Sequence, residues 1–523
     1  MRWDTVIIGA GPAAAAAARA LTAAGRSVLM LDAGTKDIAP PPSMPGAYPA
    51  WRRDDASQWK SLIGDDFVAL RPRNASPKFA VPRFARAFGA TDIEARDFDL
   101  AAIEGVGGMS VAWGAGLACF TARDMRDWPI GPKDLLGHYA SEAKVVGAAG
   151  LVDDALEDEM GAALRVCAPA EAPVLAHALL AKASKRVLSE TISIGRARNA
   201  VLTTASAAHK ACTNRLACVF GCPDGAIYNA ADDIAQQVRT GRVTLRRDFR
   251  VRHLERDGGG WSIVGTDNQG SIHRVAAREI FLAAGALQSA AIVLRSLKGE
   301  GTSLRLHSTP AAAFAIANIG ALGSAPDAEG NALSAVGIMI KNAARDEAYY
   351  AGLFPTAGIL RSHLIKRLPI SRRGARLLAR ATTPAMLLGN AFFPSAYSNH
   401  AIALKADGVL TVTGGVSDDL SAAVRHCRHE LQALFSKLGW MMAPGGLQLS
   451  APGADAHYAG TLPHRREPGA FETDPAGRLP QMSGVFVVDG SVLPSLPAKS
   501  HTLTIMANAR RVVTAALQSP GER

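Results

Sequence analysis

Thr5-Val6-Ile7-Ile8-Gly9-Ala10-Gly11-Pro12-Ala13-Ala14, carried on by an alanine-dense run to Ala24-Gly25 and then by Ser27-Val28-Leu29-Met30-Leu31-Asp32-Ala33, is the stretch that decides the fold. A short β-branched run stopped by glycine predicts a strand and a turn. The alanines predict a helix, and the second apolar run predicts another strand. Each small residue meets a physical demand. Gly9 permits the tight turn, Gly11 in front of Pro12 lets backbone approach a pyrophosphate, and Ala14 lets the helix pack closely on the strand with its N-terminus facing the phosphates. Asp32, followed by Ala33, ends the second strand where a carboxylate can accept both ribose hydroxyls of an adenosine. Alanine in place of the third glycine is a recognised variant of the fingerprint. The unit predicts dinucleotide binding and leaves FAD and NAD both open.

Working outward, 523 residues are too many for one ordinary domain and enough for two. With 48% hydrophobic and 20% charged residues, 50 glycines and 29 prolines, the chain reads as globular, which excludes collagen, coiled coil and general disorder. The net charge of +11 is a mild bias on a chain this long, and without a clustered basic motif no nucleic-acid partner is expected. No apolar run reaches the length of a membrane span. The first residues lead straight into a strand and the cysteines number six, so a cytoplasmic protein with reduced thiols is expected.

The far end of the chain bears on the cofactor. Gly484-Val485-Phe486-Val487-Val488-Asp489-Gly490 reads as a strand ending in an acid and a glycine, and a helix is expected from about His501 and Thr502 onward. A strand, acid and helix returning to the nucleotide sheet suit a cofactor long enough to need both ends of the chain, and FAD fits that better than NAD. Asp489 would then bind ribityl or pyrophosphate oxygen. The positive end of the last helix would face the flavin N1/C2 edge, where it stabilises negative charge by about 1 kcal/mol. The plain alternative is a C-terminal helix packed on a sheet. Between the two ends, residues 36 to 60 read as irregular, 160 to 195 as helical, and 240 to 285 as strands. The segment from 304 reads as a second domain inserted into the first. The expected segments are 1–125 for FAD binding, 126–195 for linking helices, 196–303 for FAD binding again, 304–453 for substrate, and 454–523 for the last FAD-binding part.

Together with the opening fingerprint, Gly107-Gly108-Met109-Ser110, His457-Tyr458-Ala459-Gly460-Thr461, Val488-Asp489-Gly490-Ser491 and Ser500-His501-Thr502-Leu503-Thr504 resemble the glucose-methanol-choline (GMC) oxidoreductases in order and spacing. The resemblance implies an α/β flavoprotein: a Rossmann-like FAD-binding domain with an inserted substrate domain built on an antiparallel β-sheet, oxidising an alcohol by hydride transfer to flavin N5. It implies cofactor contacts at Gly107, Gly108, Ser110, Asp489, Gly490, Thr502 and Leu503, and a further cofactor-side turn at Gly285. The chemistry asks for a base near the substrate hydroxyl, which typically accelerates such a step by about 10²- to 10⁴-fold. Histidine suits that task. By the resemblance His457 is the general base and His501 holds the substrate oxygen.

Some residues depart from the family pattern. Leu462-Pro463-His464-Arg465 replaces the usual Cys-Arg-Met-Gly, and no histidine follows Gly107-Gly108, so a non-covalent FAD is expected. Trp113 replaces a customary asparagine and reads equally as a cover over flavin or substrate and as a core residue. Cys212, Cys218 and Cys222 lack metal-ligand spacing and read as structural, with a metal site through His209 the alternative. Residues 364 to 390 combine Lys366, Arg367, Arg372, Arg373, Arg376 and Arg380 with leucines, which suggests either a solvated helix face or peripheral contact with a membrane. The substrate is a small-molecule alcohol, sugar-like or lipophilic. Long-chain alcohol or sterol oxidation, a non-redox lyase on the same scaffold and flavin binding without catalysis are the competing readings. The electron acceptor, whether oxygen, quinone or protein, is left open.

Overall fold

The computed structural model describes residues 2–35, 46–50, 92–205, 210–218, 221–356, 365 and 368–518. Most of the proline-rich stretch, together with His209, Lys366 and Arg367, lies outside the described residues.

The strand Arg2–Ile8 buries Val6, Ile7 and Ile8, and the helix Pro12–Ala23 buries every alanine from Ala13 to Ala18. Alanine is the best helix former and lacks bulk, so this helix fits closely between the sheet and the final helix Thr502–Gln518. Val28–Leu31 then lies parallel to the first strand. The resulting sheet runs Val243–Arg246, Val28–Leu31, Arg2–Ile8, Ile272–Leu282, Gly260–Thr266, Arg250–Asp257. The long strand Ile272–Leu282 pairs in parallel with the first strand along one edge, from Arg2 opposite Ala276 to Ile8 opposite Leu282. Its other edge is shared between Gly260–Thr266, antiparallel, and Val485–Val487, parallel.

A second sheet is antiparallel throughout. Its order is Ala311–Ala317, Met386–Phe392, Glu347–Pro355, Val336–Asn342, Ile192–Arg196. Leu431 and Phe435 of the helix Leu420–Lys437, and Leu179 of Val174–Ala183, belong to the core beneath it. Gly389 leaves room for Phe314 on the neighbouring strand, since a Cβ there would fall 2.2 Å from its ring. The fold class therefore matches the expectation, a mainly parallel nucleotide sheet, with two antiparallel strands at one side, plus an antiparallel second sheet. The helical reading of 160 to 195 needs correction. Pro173 caps the start of Val174–Ala183, and the alternating Ile192-Ser193-Ile194 leads into an edge strand instead.

A small third sheet joins Ser303–Leu306, His400–Leu404, Leu410–Thr413 and Ile93–Arg96. It fixes the segment just after Leu306, where Thr309 lies.

Candidate active site

Four of the parallel strands, Arg2–Ile8, Val28–Leu31, Ile272–Leu282 and Val485–Val487, end at one cavity, with Gly9, Asp32, Gly285 and Asp489 at their carboxyl ends. Open parallel sheets bind ligands at that edge. The cavity holds about 820 Å³ and continues from the glycine turn to Phe314, Leu388 and Phe392 of the antiparallel sheet. That is towards the upper end for small-molecule sites and leaves room for two ligands in line.

At the dinucleotide end, Gly9 has a φ of +100°, and a Cβ on it would lie 2.4 Å from the carbonyl oxygen of Ala283. Gly11 differs. Its φ is −94°, and a Cβ there would meet nothing within 4 Å. The protein itself does not need glycine at that position, whereas a phosphate resting on the helix would. No side chain caps the helices Pro12–Ala23 and Ala286–Ser296, which begin after Gly11 and Gly285, so their first N–H groups are available to an anion. Thr502 brings the start of a third helix to the same cavity. Asp32 is buried and accepts from the N–H of Gly34 at 2.8 Å, and burial holds its carboxyl above the usual range. Glu104 and Arg250, which the motif reading missed, pair through two contacts of 2.8 and 2.6 Å on the same wall. The uncapped helix starts, the Gly11 cradle and the Asp32 carboxylate together fit the pyrophosphate and ribose of an FAD.

Pro12, Ala33, Gly108, Ser110 and Gly490 also line the cavity, with the residues already named. Ala14, Gly107 and Leu503 do not. Ala14 and Leu503 are fully buried packing residues. Gly107, at a φ of +95°, shapes the turn, where a Cβ would strike Val111. Ser110 donates to the carbonyl of Gly107 at 2.6 Å and accepts from Ala230 N–H at 3.0 Å. Asp489 has its oxygens taken by protein donors. Oδ2 accepts from Gly285 N–H at 2.8 Å and Ser289 Oγ at 2.5 Å, and Oδ1 accepts from both N–H and hydroxyl of Ser491. It staples two cofactor-side turns together.

At the other end, the rings of His457 and His501 stand 5.2 Å apart at 84°. The segment carrying His457 is gripped on both sides. Ala459 exchanges two backbone bonds with His307, Gly460 N–H donates to Gly490, and a Cβ on Gly460 would lie 2.0 Å from the His307 ring. Nδ1 of His457 is 2.6 Å from Thr309 Oγ1, which is in turn 3.4 Å from Oδ2 of Asp455. The same carboxylate oxygen accepts from the N–H groups of Thr309, at 2.9 Å, and His457, at 3.2 Å. With Thr309 donating to Asp455, its oxygen accepts Nδ1–H and leaves Nε2 of His457 as the free lone pair. Burial pushes His457 down to about 4, and burial reinforced by His457 pushes His501 down to about 3, so both rings are neutral near pH 7. Burial pushes Asp455 up to about 6. Nδ1 of His501 is buried with no protein partner, as expected of a group that meets a ligand. Thr309 and Asp455 were not anticipated. Thr309 is 148 residues from His457, and no sequence pattern links the two.

Trp113 lines the cavity while its indole N–H donates to the carbonyl of Tyr228 at 2.9 Å. Cys218 also lines it, with its thiol 3.4 Å from Asn331 Oδ1. All six cysteines are free thiols, and among the described residues no three His, Cys, Asp or Glu side chains converge as a metal site would require. No helix among the described residues is long and apolar enough to cross a membrane.

Residues 448–509 match the model of the GMC oxidoreductase family, a span that contains both histidines and Asp489. Over the whole chain the sequence is similar to a paromamine 6'-oxidase of Streptomyces fradiae, 25% identical across 97% of this chain and 90% of the relative. It is also similar to an uncharacterized GMC-type oxidoreductase of Mycobacterium tuberculosis, 27% identical across 58% of this chain and half of that one. Among solved structures, pyridoxine 4-oxidase from "Mesorbium loti" shares the fold with a TM-score of 0.59 at 18% identity, covering 99% of this chain and all of the other.

Proposed function

We propose that this chain, which belongs to the GMC oxidoreductases, oxidises the carbinol group of an uncharged, largely apolar alcohol with a non-covalently bound FAD. The observation that carries the reading is the pair of neutral imidazoles at the end of a cavity whose other end fits a dinucleotide. Bound FAD supplies the two-electron acceptor. Gly9, Gly11, Asp32, Gly285 and the start of the helix Thr502–Gln518 would hold it. The segment from Gly107 to Gly114 offers no histidine for a covalent link.

The chain's own residues handle the proton and the fit. Nε2 of His457 takes the proton of the substrate hydroxyl, and Thr309 keeps Nδ1–H engaged so that the lone pair stays at Nε2. The Asp455 carboxylate, tied to that ring through Thr309, favours the positive charge the imidazole gains. His501 steadies the substrate oxygen. Phe392, its ring 5.3 Å from that of His457, and Phe314, Phe354 and Leu388 keep water from the reacting carbon. Among the described residues, the polar groups that the antiparallel strands turn to this end of the cavity, such as Asn390 and Tyr350, carry no charge at neutral pH. An acidic substrate would there leave its charge unpaired. The test is anaerobic bleaching of the bound flavin by a panel of apolar primary and secondary alcohols, polyols and amino alcohols. Apolar alcohols should bleach it fastest, and His457→Gln should slow the step by about 10²- to 10⁴-fold. A flavin that no alcohol bleaches would sink the reading in favour of a non-redox use of the scaffold.

A further inference from the structure

Exposed apolar side chains gather at one end of the antiparallel sheet. Leu377 is 62% exposed, Leu378 44%, Ile319 59% and Leu322 52%. They are neighbours. Gly323 N–H bonds to the carbonyl of Ala381, Asn318 N–H to that of Ala385, and the short helix Ile319–Ala321 packs against Thr383–Ala385. Ile370, half exposed, lies against Gly374 of the helix Arg372–Thr382, which carries Leu377 and Leu378.

Of the side chains on that helix, those of Ala375 and Ala379 are the buried ones. At 3.6 residues per turn, Arg372, Arg373, Arg376 and Arg380 fall within one flank of about 100°, and Leu377 and Leu378 fall on the other. Among the described residues none of the four arginines pairs with a carboxylate. The sequence reinforces this, because no acidic residue occurs between Glu347 and Asp407. A solvated helix face normally interleaves both signs, which this one does not.

We propose that this end of the sheet seats the protein on the surface of an anionic lipid bilayer. The arginines meet headgroup phosphates while Leu377, Leu378, Ile319 and Leu322 enter the interface. Unpaired cationic charge beside exposed leucines is the composition of an interfacial helix. A nucleic-acid backbone would use the arginines and leave the leucines in water. The strand that follows, Met386–Phe392, leads from this surface to the ring of His457, about 20 Å away along the strand. An apolar alcohol dissolved in a bilayer would then have a short way to the reacting centre. The docking itself does not rest on the alcohol assignment.

The test uses flavin-loaded, full-length protein with vesicles of phosphatidylcholine alone or with about 30% phosphatidylglycerol added. Co-sedimentation should require the anionic lipid and weaken as salt rises from about 50 mM to about 500 mM. Each arginine near the surface contributes roughly fivefold in partitioning, so R372Q/R376Q/R380Q should lose about a hundredfold. L377S/L378S should also bind more weakly. All five positions are exposed and outside the site, so both variants should keep the flavin spectrum and turn over a water-soluble alcohol normally. The proposal is overturned by absence of vesicle binding at low salt, by equal binding to neutral vesicles, or by either variant sedimenting like the parent. Tighter, arginine-dependent binding to single-stranded RNA than to the vesicles would also overturn it.

Discussion

Replacing Thr309 with valine removes one buried hydroxyl and almost no volume, yet it should impair the reaction. Thr309 is fully buried, and its oxygen sits 2.6 Å from Nδ1 of His457. Without that acceptor, the productive tautomer of His457 leaves a buried N–H unpartnered, which costs about 1–3 kcal/mol. The ring would instead carry its proton on Nε2, where the substrate hydroxyl must deliver one. The same 1–3 kcal/mol translates into a loss of about 5- to 150-fold in the population able to act as base. The measurement is stopped-flow anaerobic reduction of the bound flavin by whichever alcohol of the panel reacts fastest. Its limiting rate should fall by that factor while the half-saturating alcohol concentration moves little. Thr309→Ser restores the hydroxyl and should recover most of the rate, an outcome that a purely packing role for threonine would not produce. A valine variant within twofold of the parent, or a serine variant as slow as the valine one, would refute the tautomer argument.

Other consequences can be checked separately. Gly11→Val should leave the fold intact, changing apo-protein stability by roughly 1 kcal/mol or less, because nothing in the protein lies within 4 Å of the new Cβ. It should nevertheless purify with at least about tenfold less flavin by absorbance ratio, because branched atoms there occupy the phosphate cradle. Gly9→Ala, forced to a φ of +100° and against Ala283, should instead lower Tm sharply. Burial holds His501 near 3 in the folded protein against about 6.5 in an unfolded chain, so the unfolded state binds the extra proton first. Its contribution is complete above about pH 6.5 and declines as pH falls towards about 3, by roughly 5 kcal/mol at most. Urea unfolding of His501→Asn between pH 7 and pH 4 should therefore show a shallower acid decline than the parent, and parallel curves would contradict this.

The parts of this molecule that the sequence made legible are those in which one residue type meets a local demand. Gly9 and Gly11 announce a turn because the positive φ at one and the open approach at the other lie within a single βαβ unit. The fold class follows from that unit and from the strand and helix that return at the C-terminus. His457 and His501 were readable through their neighbours Gly460 and Thr502. Relations across the chain were not readable. Thr309 and Asp455 act on His457 only because the third sheet delivers Thr309 to it, and that sheet draws strands from residues 93 to 413. Asp489 was expected to face a cofactor oxygen. Its four protein donors come from Gly285, Ser289 and Ser491, and the side-chain geometry that commits it to them leaves no trace in residue spacing. The helix expected near residue 190 gave way to Ile192–Arg196 because the antiparallel sheet needed an outer member there.

The long strand Ile272–Leu282 bears on how the protein comes into being. Its neighbours include the strand Arg2–Ile8 and one that emerges only at residues 485–487, so a nascent polypeptide holds an incomplete nucleotide layer until residue 487 has been made. Pairings that span such sequence distances form late and slowly. Prosthetic-group capture is thereby deferred until the helix Thr502–Gln518 arrives with His501 at its head. A half-made chain cannot hold a flavin before its two neighbouring imidazoles have met.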